Sequence, residues 1–296
     1  MLADGTPVID CLLYCGEREA LAIRLHELEG LVDLHVIVEA RTTFQGDPKP
    51  LHLATDLARY PELDTGRFAD RLQRVIIERF GPRAHTSWDR EAEQRDAVVH
   101  GLKAVPDDAL VLLCDADEIP RAAAVRRYGA ALGPDDVCRF GGPAYLYALN
   151  LRECTHAAWY GPHVVRRGHL RRERPQRIRG DGLGNTALPG SVPDAAWHFS
   201  FLGGADRVLA KLQAWSHTED NHYATPEHVA EAMADLRDWK DDRAEPLSLR
   251  IVPLDDSYPA WVRTRPDLFR PPLVVPYITP EDVRAVYELA AEEVEG

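Results

Sequence analysis

The chain has 296 residues, with 35 Lys+Arg against 48 Asp+Glu and a formal net charge of −13. Hydrophobic residues at 45% and charged residues at 28% fit a globular chain forming one large domain or two small ones. The acidic balance excludes a general nucleic-acid binder, whose nonspecific affinity needs a positive surface, but leaves room for a locally basic pocket for one small anion.

Strand and helix signals alternate through the first half. Val8 to Tyr14 is a short apolar run that reads as a buried strand, and Leu21, Leu25 and Leu28 then form one helix face, with Gly30 as the stop. Leu34 to Val38 predicts a second strand ending at Glu39. Gly46, Pro48 and Pro50 mark Thr42 to Pro50 as a loop. Leu72 to Ile77 predicts a third strand, and Ser87-Trp88-Asp89 offers caps for a helix reaching about Ala104. Ala109 to Cys114 is a wholly apolar strand followed at once by Asp115-Ala116-Asp117-Glu118. This rhythm predicts βαβ units and a mostly parallel, Rossmann-like sheet flanked by helices. Further on, 137–150 and 163–178 read as longer strands, 226–240 as an amphipathic helix, 255–276 as a Pro-rich surface stretch and 281–295 as a short acidic helix. We expect one main domain over 1–245, with 246–296 as a less regular extension packed on it.

The N-terminal MLADGTPVID has no basic or apolar leader pattern, and no apolar run approaches the roughly 18 residues that cross a bilayer. Cys11, Cys15, Cys114, Cys138 and Cys154 are odd in number and irregularly spaced. They read as free thiols, so the expected location is the cytoplasm.

Four features carry candidate chemistry. Asp115 and Asp117 sit in the bend leaving an apolar strand, where α/β sheets bind ligands and where two carboxylates can approach one hard cation such as Mg²⁺ or Mn²⁺. A solvated acidic turn is the plainer alternative. Trp88, Glu91 and Arg95 share one helix face, as an ion pair beside an anchoring ring or as site residues. His198 lies among aromatics in Trp197-His198-Phe199-Ser200, as a core histidine or a ligand. The run from Arg166 to Arg179 holds seven Arg and one acid, Glu173, and suits either an anion or acidic neighbours within the fold.

Taken in order, four segments resemble glycosyltransferase family 17. They are EREALAIRLHEL (17–28) running into VDLHVIVEARTTFQGDPKPLHL (32–53); Trp88, Glu91, Gln94, Arg95 and Asp96; DADEIP (115–120); and WHFSFLGG (197–204) followed by KLQAWSHTE. They cover most of residues 8–222, and no firm match extends past about residue 245. The heavy use of Ala, Arg and Asp suggests a bacterial member.

The resemblance implies a GT-A-type, metal-dependent, inverting glycosyltransferase that moves a sugar from a nucleotide sugar, UDP-GlcNAc being the best guess, to a hydroxyl of a glycan or small metabolite. Mn²⁺ or Mg²⁺ would be held by Asp115, Asp117 and His198. Glu17, Glu39, Lys49, Arg95 and Asp115 would face the donor. Trp88, Glu91, Tyr147, Asn150 and Trp197 would face sugars, and Asp181, Glu118 or Glu219 would be the general base. On this reading Asp117→Asn abolishes turnover and leaves stability close to wild type. Two alternatives stand beside it. One is a non-catalytic nucleotide-sugar-binding protein with the same shell. The other is a nucleotidyltransferase, disfavoured because Cys15-Gly16-Glu17-Arg18-Glu19 has one Gly and two acids where a triphosphate loop needs Gly and basic residues.

Overall fold

A computed structural model describes residues 1–180, 190–271 and 273–276. The first half follows the expected rhythm: β1 (Val8–Leu13), α1 (Arg18–Glu27), β2 (Leu34–Ala40), α2 (Leu53–Arg59), β3 (Leu72–Ile77), α3 (Ser87–Asp96) and β4 (Leu110–Asp115). The first strand, the first helix, β2 and β4 end within a residue or two of their expected limits, and β3 matches. The helix from Ser87 turns into 3₁₀ geometry at Ala97–Leu102. Thr86 caps α3 with a reciprocal capping box to Asp89.

The second half is built from shorter pieces: β5 (Glu118–Pro120), α4 (Ala122–Gly129), β6 (Val137–Gly142), β7 (Ala144–Leu146), β8 (Leu151–Glu153), β9 (Trp159–Arg166) and α5 (Pro175–Arg179). After them come β10 (Ser191–Val192), β11 (Ala196–Ser200), α6 (Ala205–Leu212), α7 (Pro226–Ala234), β12 (Leu249–Ile251) and α8 (Ala260–Thr264). Four expectations need correction. The helix expected over 226–240 ends at Ala234, and the stretch 255–276, expected on the surface, forms α8 and buries Tyr258, Val262 and Phe269 in the core. The span 137–150 is broken at Pro143, because proline removes a ladder donor. The span 163–178 is strand only to Arg166 and continues as a 3₁₀ turn and α5. The expected helix 281–295 lies outside the described residues.

Among the described residues, seven strands form the main sheet in the order β10-β6-β9-β4-β1-β2-β3. β1 is parallel to β2 and β4, and β2 to β3; β9 runs antiparallel between β4 and β6. Parallel strands are covered on both faces. Val8, Leu110, Leu112 and Val164 accordingly pack into one core layer, and Ile9, Val36, Val111 and Val165 into the other.

A second sheet runs β12-β8-β7-β11-β5. The chain passes from the first sheet to the second three times: through the Ala116-Asp117 turn between β4 and β5, across Pro143 between β6 and β7, and between β10 and β11. The seam is tight: a Cβ built on Gly142 would lie 1.7 Å from the Ala196 carbonyl oxygen. In the 246–296 segment, β12 pairs with β8, and the Asn150 side chain bonds both backbone polar groups of Val275. All five cysteines are free thiols.

Candidate active site

A cleft of about 930 Å³ opens over the carboxyl ends of β1 and β4 and the adjoining edge of the second sheet. This is the size of a small-molecule site, in the place where α/β sheets bind ligands. Its floor is the turn joining the two sheets. Asp115 ends β4 and Glu118 begins β5.

Each carboxylate of the turn faces a cation. Asp115 accepts from Arg95 and Arg179, both at 3.0 Å. Burial alone would raise the Asp115 pKa, but the two guanidiniums outweigh it and hold the carboxyl below its usual range. Asp117 accepts from the Lys211 ammonium at 2.5 Å, and His198 Nε2 lies 3.7 Å from the same oxygen. Burial again opposes ionisation, and Lys211 and then His198 overcome it, so Asp117 is firmly ionised. The position of His198 follows from register: β11 pairs with β5 so that His198 stands opposite Glu118. Trp159 stacks on its ring at 4.6 Å.

Glu118 is a brace. Its two oxygens accept from Trp159 Nε1 at 3.0 Å, Arg179 at 2.7 and 3.1 Å, and the Asp115 backbone N–H at 2.9 Å. With four donors on it, the carboxylate is spent on holding the turn and is not available as a base. Behind the turn, the fully buried Arg24 of α1 donates to the carbonyls of Glu118 (2.6 Å) and Asp115 (3.3 Å), and is itself held by Asp10 and, through Asp10, by His35.

Of the candidates from sequence, Glu17, Lys49, Trp88, Glu91, Arg95, Asp115, Asp117, Glu118 and His198 all line the cleft. The Lys49 Nζ is buried with no hydrogen-bond partner among the described residues, a donor left for a ligand. Others sit elsewhere. Glu39 is fully buried and caps α2 through the His52 and Leu53 N–H groups, with Arg74 on its other oxygen, so it does not face a ribose. Tyr147, Asn150 and Trp197 are core residues whose polar atoms bond the backbone carbonyls of Arg237, Val275 and Ser257. Glu219 bonds His217 and is not itself in the cleft wall. Asp181 lies outside the described residues.

The arginine run divides. Arg166, Arg167, Arg171, Arg172 and Arg174 are spent on carbonyls or on Asp107, Asp135 and Asp96, and Arg177 on Glu173. Only Arg179, at the end of α5, turns into the acidic floor. Sequence reasoning missed Lys211, Arg24 and Trp159. Lys211 and Trp159 carry no local signal, since they enter from distant elements. Arg24 could have been found as a charge between Leu21 and Leu25 on an apolar helix.

Just behind the floor, buried His163 is held neutral. Burial first, then Arg179, push its pKa down to about 3. An unfolded histidine titrates near 6.5. The folded state therefore binds fewer protons, and the stability this gives is full above about pH 6.5 and is lost as pH falls toward 3. His26 and His52 are lowered by burial as well. Urea unfolding between pH 7 and 4 should thus show falling stability, and His163→Asn should flatten the slope; an unchanged slope would remove His163 as its main source.

The fold and the cleft define an α/β protein with a charged cleft at the carboxyl ends of parallel strands. A family model described as Glycosyltransferase family 17 matches residues 3–245. The chain belongs to that family and is a glycosyltransferase. No curated protein matches it. Among solved structures, a 4-diphosphocytidyl-2C-methyl-D-erythritol synthase aligns at 13% identity and TM-score 0.34, covering 64% of this chain and 89% of that one. An inositol-1-phosphate CTP transferase from T. maritima aligns at 9% identity and TM-score 0.27, covering 67% and 87%. Among the described residues, no helix is long and apolar enough to cross a membrane.

Proposed function

We propose that the enzyme transfers a sugar from a nucleoside diphosphate donor, with UDP-GlcNAc as the first candidate, to a hydroxyl of a glycan or small metabolite by direct displacement with inversion. The observation that carries this reading is the ring of cations, Lys49, Arg95, Arg179 and Lys211, set around the Asp115–Asp117 turn in one cleft. Arg95, Arg179 and Lys211 balance Asp115, Glu118 and Asp117, so the floor can receive a diphosphate leaving group, whose charge grows as the glycosidic bond breaks, without net repulsion. The Lys49 Nζ, which has no hydrogen-bond partner among the described residues, is the group most directly free to meet it.

The donor set also fits a divalent cation in part. Asp117 and His198 together offer the oxygen and nitrogen ligands that Mn²⁺ accepts, and metals at diphosphates commonly take only one or two protein ligands. Asp115 is less suited, because both its oxygens are engaged by arginines. A bound metal would supply Lewis-acid neutralisation of the departing diphosphate. Lys211 orients Asp117 and adds a fixed positive charge to the same place, and Arg95 and Arg179 keep Asp115 ionised.

UDP with Mn²⁺ should raise the melting temperature, by mass action on the folded state, and EDTA should cancel the rise. A rise with UDP alone, insensitive to EDTA, would instead make Lys211 the resident cation at Asp117. No shift with UDP, GDP or dTDP nucleotides would sink the donor reading.

A further inference from the structure

We infer that His217 is the general base that takes the proton of the acceptor hydroxyl, with Glu219 as the positioning residue that sets its ring. The inference rests on the glycosyl-transfer reading above and adds the group that this reading lacks.

The carboxylates in the cleft wall are poor candidates for that task. Asp115, Asp117 and Glu118 are bound to Arg95, Arg179 and Lys211. Glu91 bonds Arg95 and the Ser216 hydroxyl, Glu17 accepts from the Cys15 N–H, Glu153 accepts from the Thr155 and His156 N–H groups, and Asp220 is held by Lys240 at 2.6 Å. A carboxylate fixed by a cation, or already engaged by N–H donors, is a weak base. An imidazole is the side chain whose ordinary titration range lies nearest neutral pH.

His217 lines the same cleft as Asp115 and Asp117. Its Nδ1 lies 2.7 Å from the Glu219 carboxylate. With the Nδ1–H donated to Glu219, the neutral ring presents Nε2 as the acceptor, and the carboxylate stabilises the imidazolium that forms. The backbone beside it is fixed: the Ser216 carbonyl accepts from the Ser87 hydroxyl at 2.6 Å, and the Ser216 hydroxyl bonds Glu91, so the ring is carried on α3. Glu219 and Asp220 are the acids grouped with it, and Lys240 offsets the second.

The surroundings suit a sugar. Trp88, 47% exposed, packs edge-on to His217 at 4.5 Å, and Trp215 lies 4.7 Å away on another side. An exposed indole face in a cleft is a stacking surface for a pyranose ring. Trp215 also lines the cleft, and its buried Nε1–H has no partner among the described residues, a donor suited to a sugar hydroxyl. In the transfer step His217 Nε2 takes the acceptor O–H proton while that oxygen forms its bond to the anomeric carbon. The bond from that carbon to the phosphate oxygen breaks, its electron pair leaves with the nucleoside diphosphate, and the imidazolium returns its proton to water.

The test measures nucleotide release and product formation with UDP-GlcNAc, and other UDP-sugars, on a panel of p-nitrophenyl glycosides. His217→Gln should lower kcat by about 10²–10⁴-fold, erase the acid limb of the pH–rate profile and leave the UDP-induced rise in melting temperature intact. Glu219→Gln should lower kcat about tenfold with acceptor KM unchanged, the split expected when a base is misaligned rather than a surface lost. A His217→Gln enzyme with wild-type kcat or a wild-type acid limb overturns the assignment. So does a loss of activity matched by loss of a divalent ion, measured by elemental analysis, because His217, Glu219 and Asp220 would then be a metal site. A wild-type protein that releases no nucleotide and is stabilised by none fails at the earlier step and overturns the transfer reading itself.

Discussion

Arg24→Met should lower folding stability by about 3–5 kcal/mol, the scale for removing one partner of a buried ion pair. Arg24 and Asp10 are both fully buried and joined at 2.5 and 2.7 Å, with His35 at 2.8 Å from the same carboxylate. Burial opposes the Asp10 charge, and Arg24 and His35 together hold it ionised. Without the guanidinium the fully buried carboxylate keeps His35 as its one side-chain partner among the described residues. The urea midpoint should fall with little change in slope. The triple variant Arg24→Met, Asp10→Leu, His35→Leu should recover most of the loss, because a buried ionic group replaced whole by apolar side chains is often neutral or stabilising. Activity should not return with it. Arg24 also bonds the carbonyls of Asp115 and Glu118, so the triple variant folds but no longer pins the turn that carries Asp117. A stable triple variant with full turnover would show that the turn holds itself.

Asp117→Asn should reduce turnover by about 10³-fold, the scale for losing a charged group aimed at the reacting centre. The structure changes the second half of this expectation. Stability should not stay at the wild-type value, because Asp117 is buried and receives the Lys211 ammonium at 2.5 Å. The amide leaves that ammonium without its counter-charge, at a cost of about 1–3 kcal/mol. Lys211→Met in the same chain should restore the melting temperature without restoring the rate. Differential scanning calorimetry and nucleotide release on the same samples separate the two effects, and an Asp117→Asn enzyme with normal kcat would remove Asp117 from the site.

The parallel half of the fold was legible because strands buried on both faces read as unbroken apolar runs, as ALVLLC does before Asp115. The acidic turn was legible for the same reason, since charges that follow such a run must sit at a strand end. Residues 163–178 misled because the His and Arg pattern there satisfies neighbours in the tertiary structure rather than one face of a strand. Glu39 was misassigned because its partners are the start of α2, a helix that its own Leu and Ala pattern did not announce, and Arg74 of β3. Tyr147, Asn150 and Trp197 carry sugar-binding chemistry on paper, but their polar atoms are consumed by backbone carbonyls from distant segments, which no local window reveals. Trp88, Glu91 and Arg95 were legible as one helix face, and that face is the one turned to the cleft.

The contact at Gly142 bears on how the enzyme accommodates its ligands. There the two sheets meet backbone to backbone, without the layer of side chains that usually separates packed elements. A joint of that kind has no rotamers to rearrange, so it cannot absorb displacement. Between the sheets at that point no side chain can repack, whereas the cleft wall carries Trp88, Trp215 and Lys49, side chains that can turn.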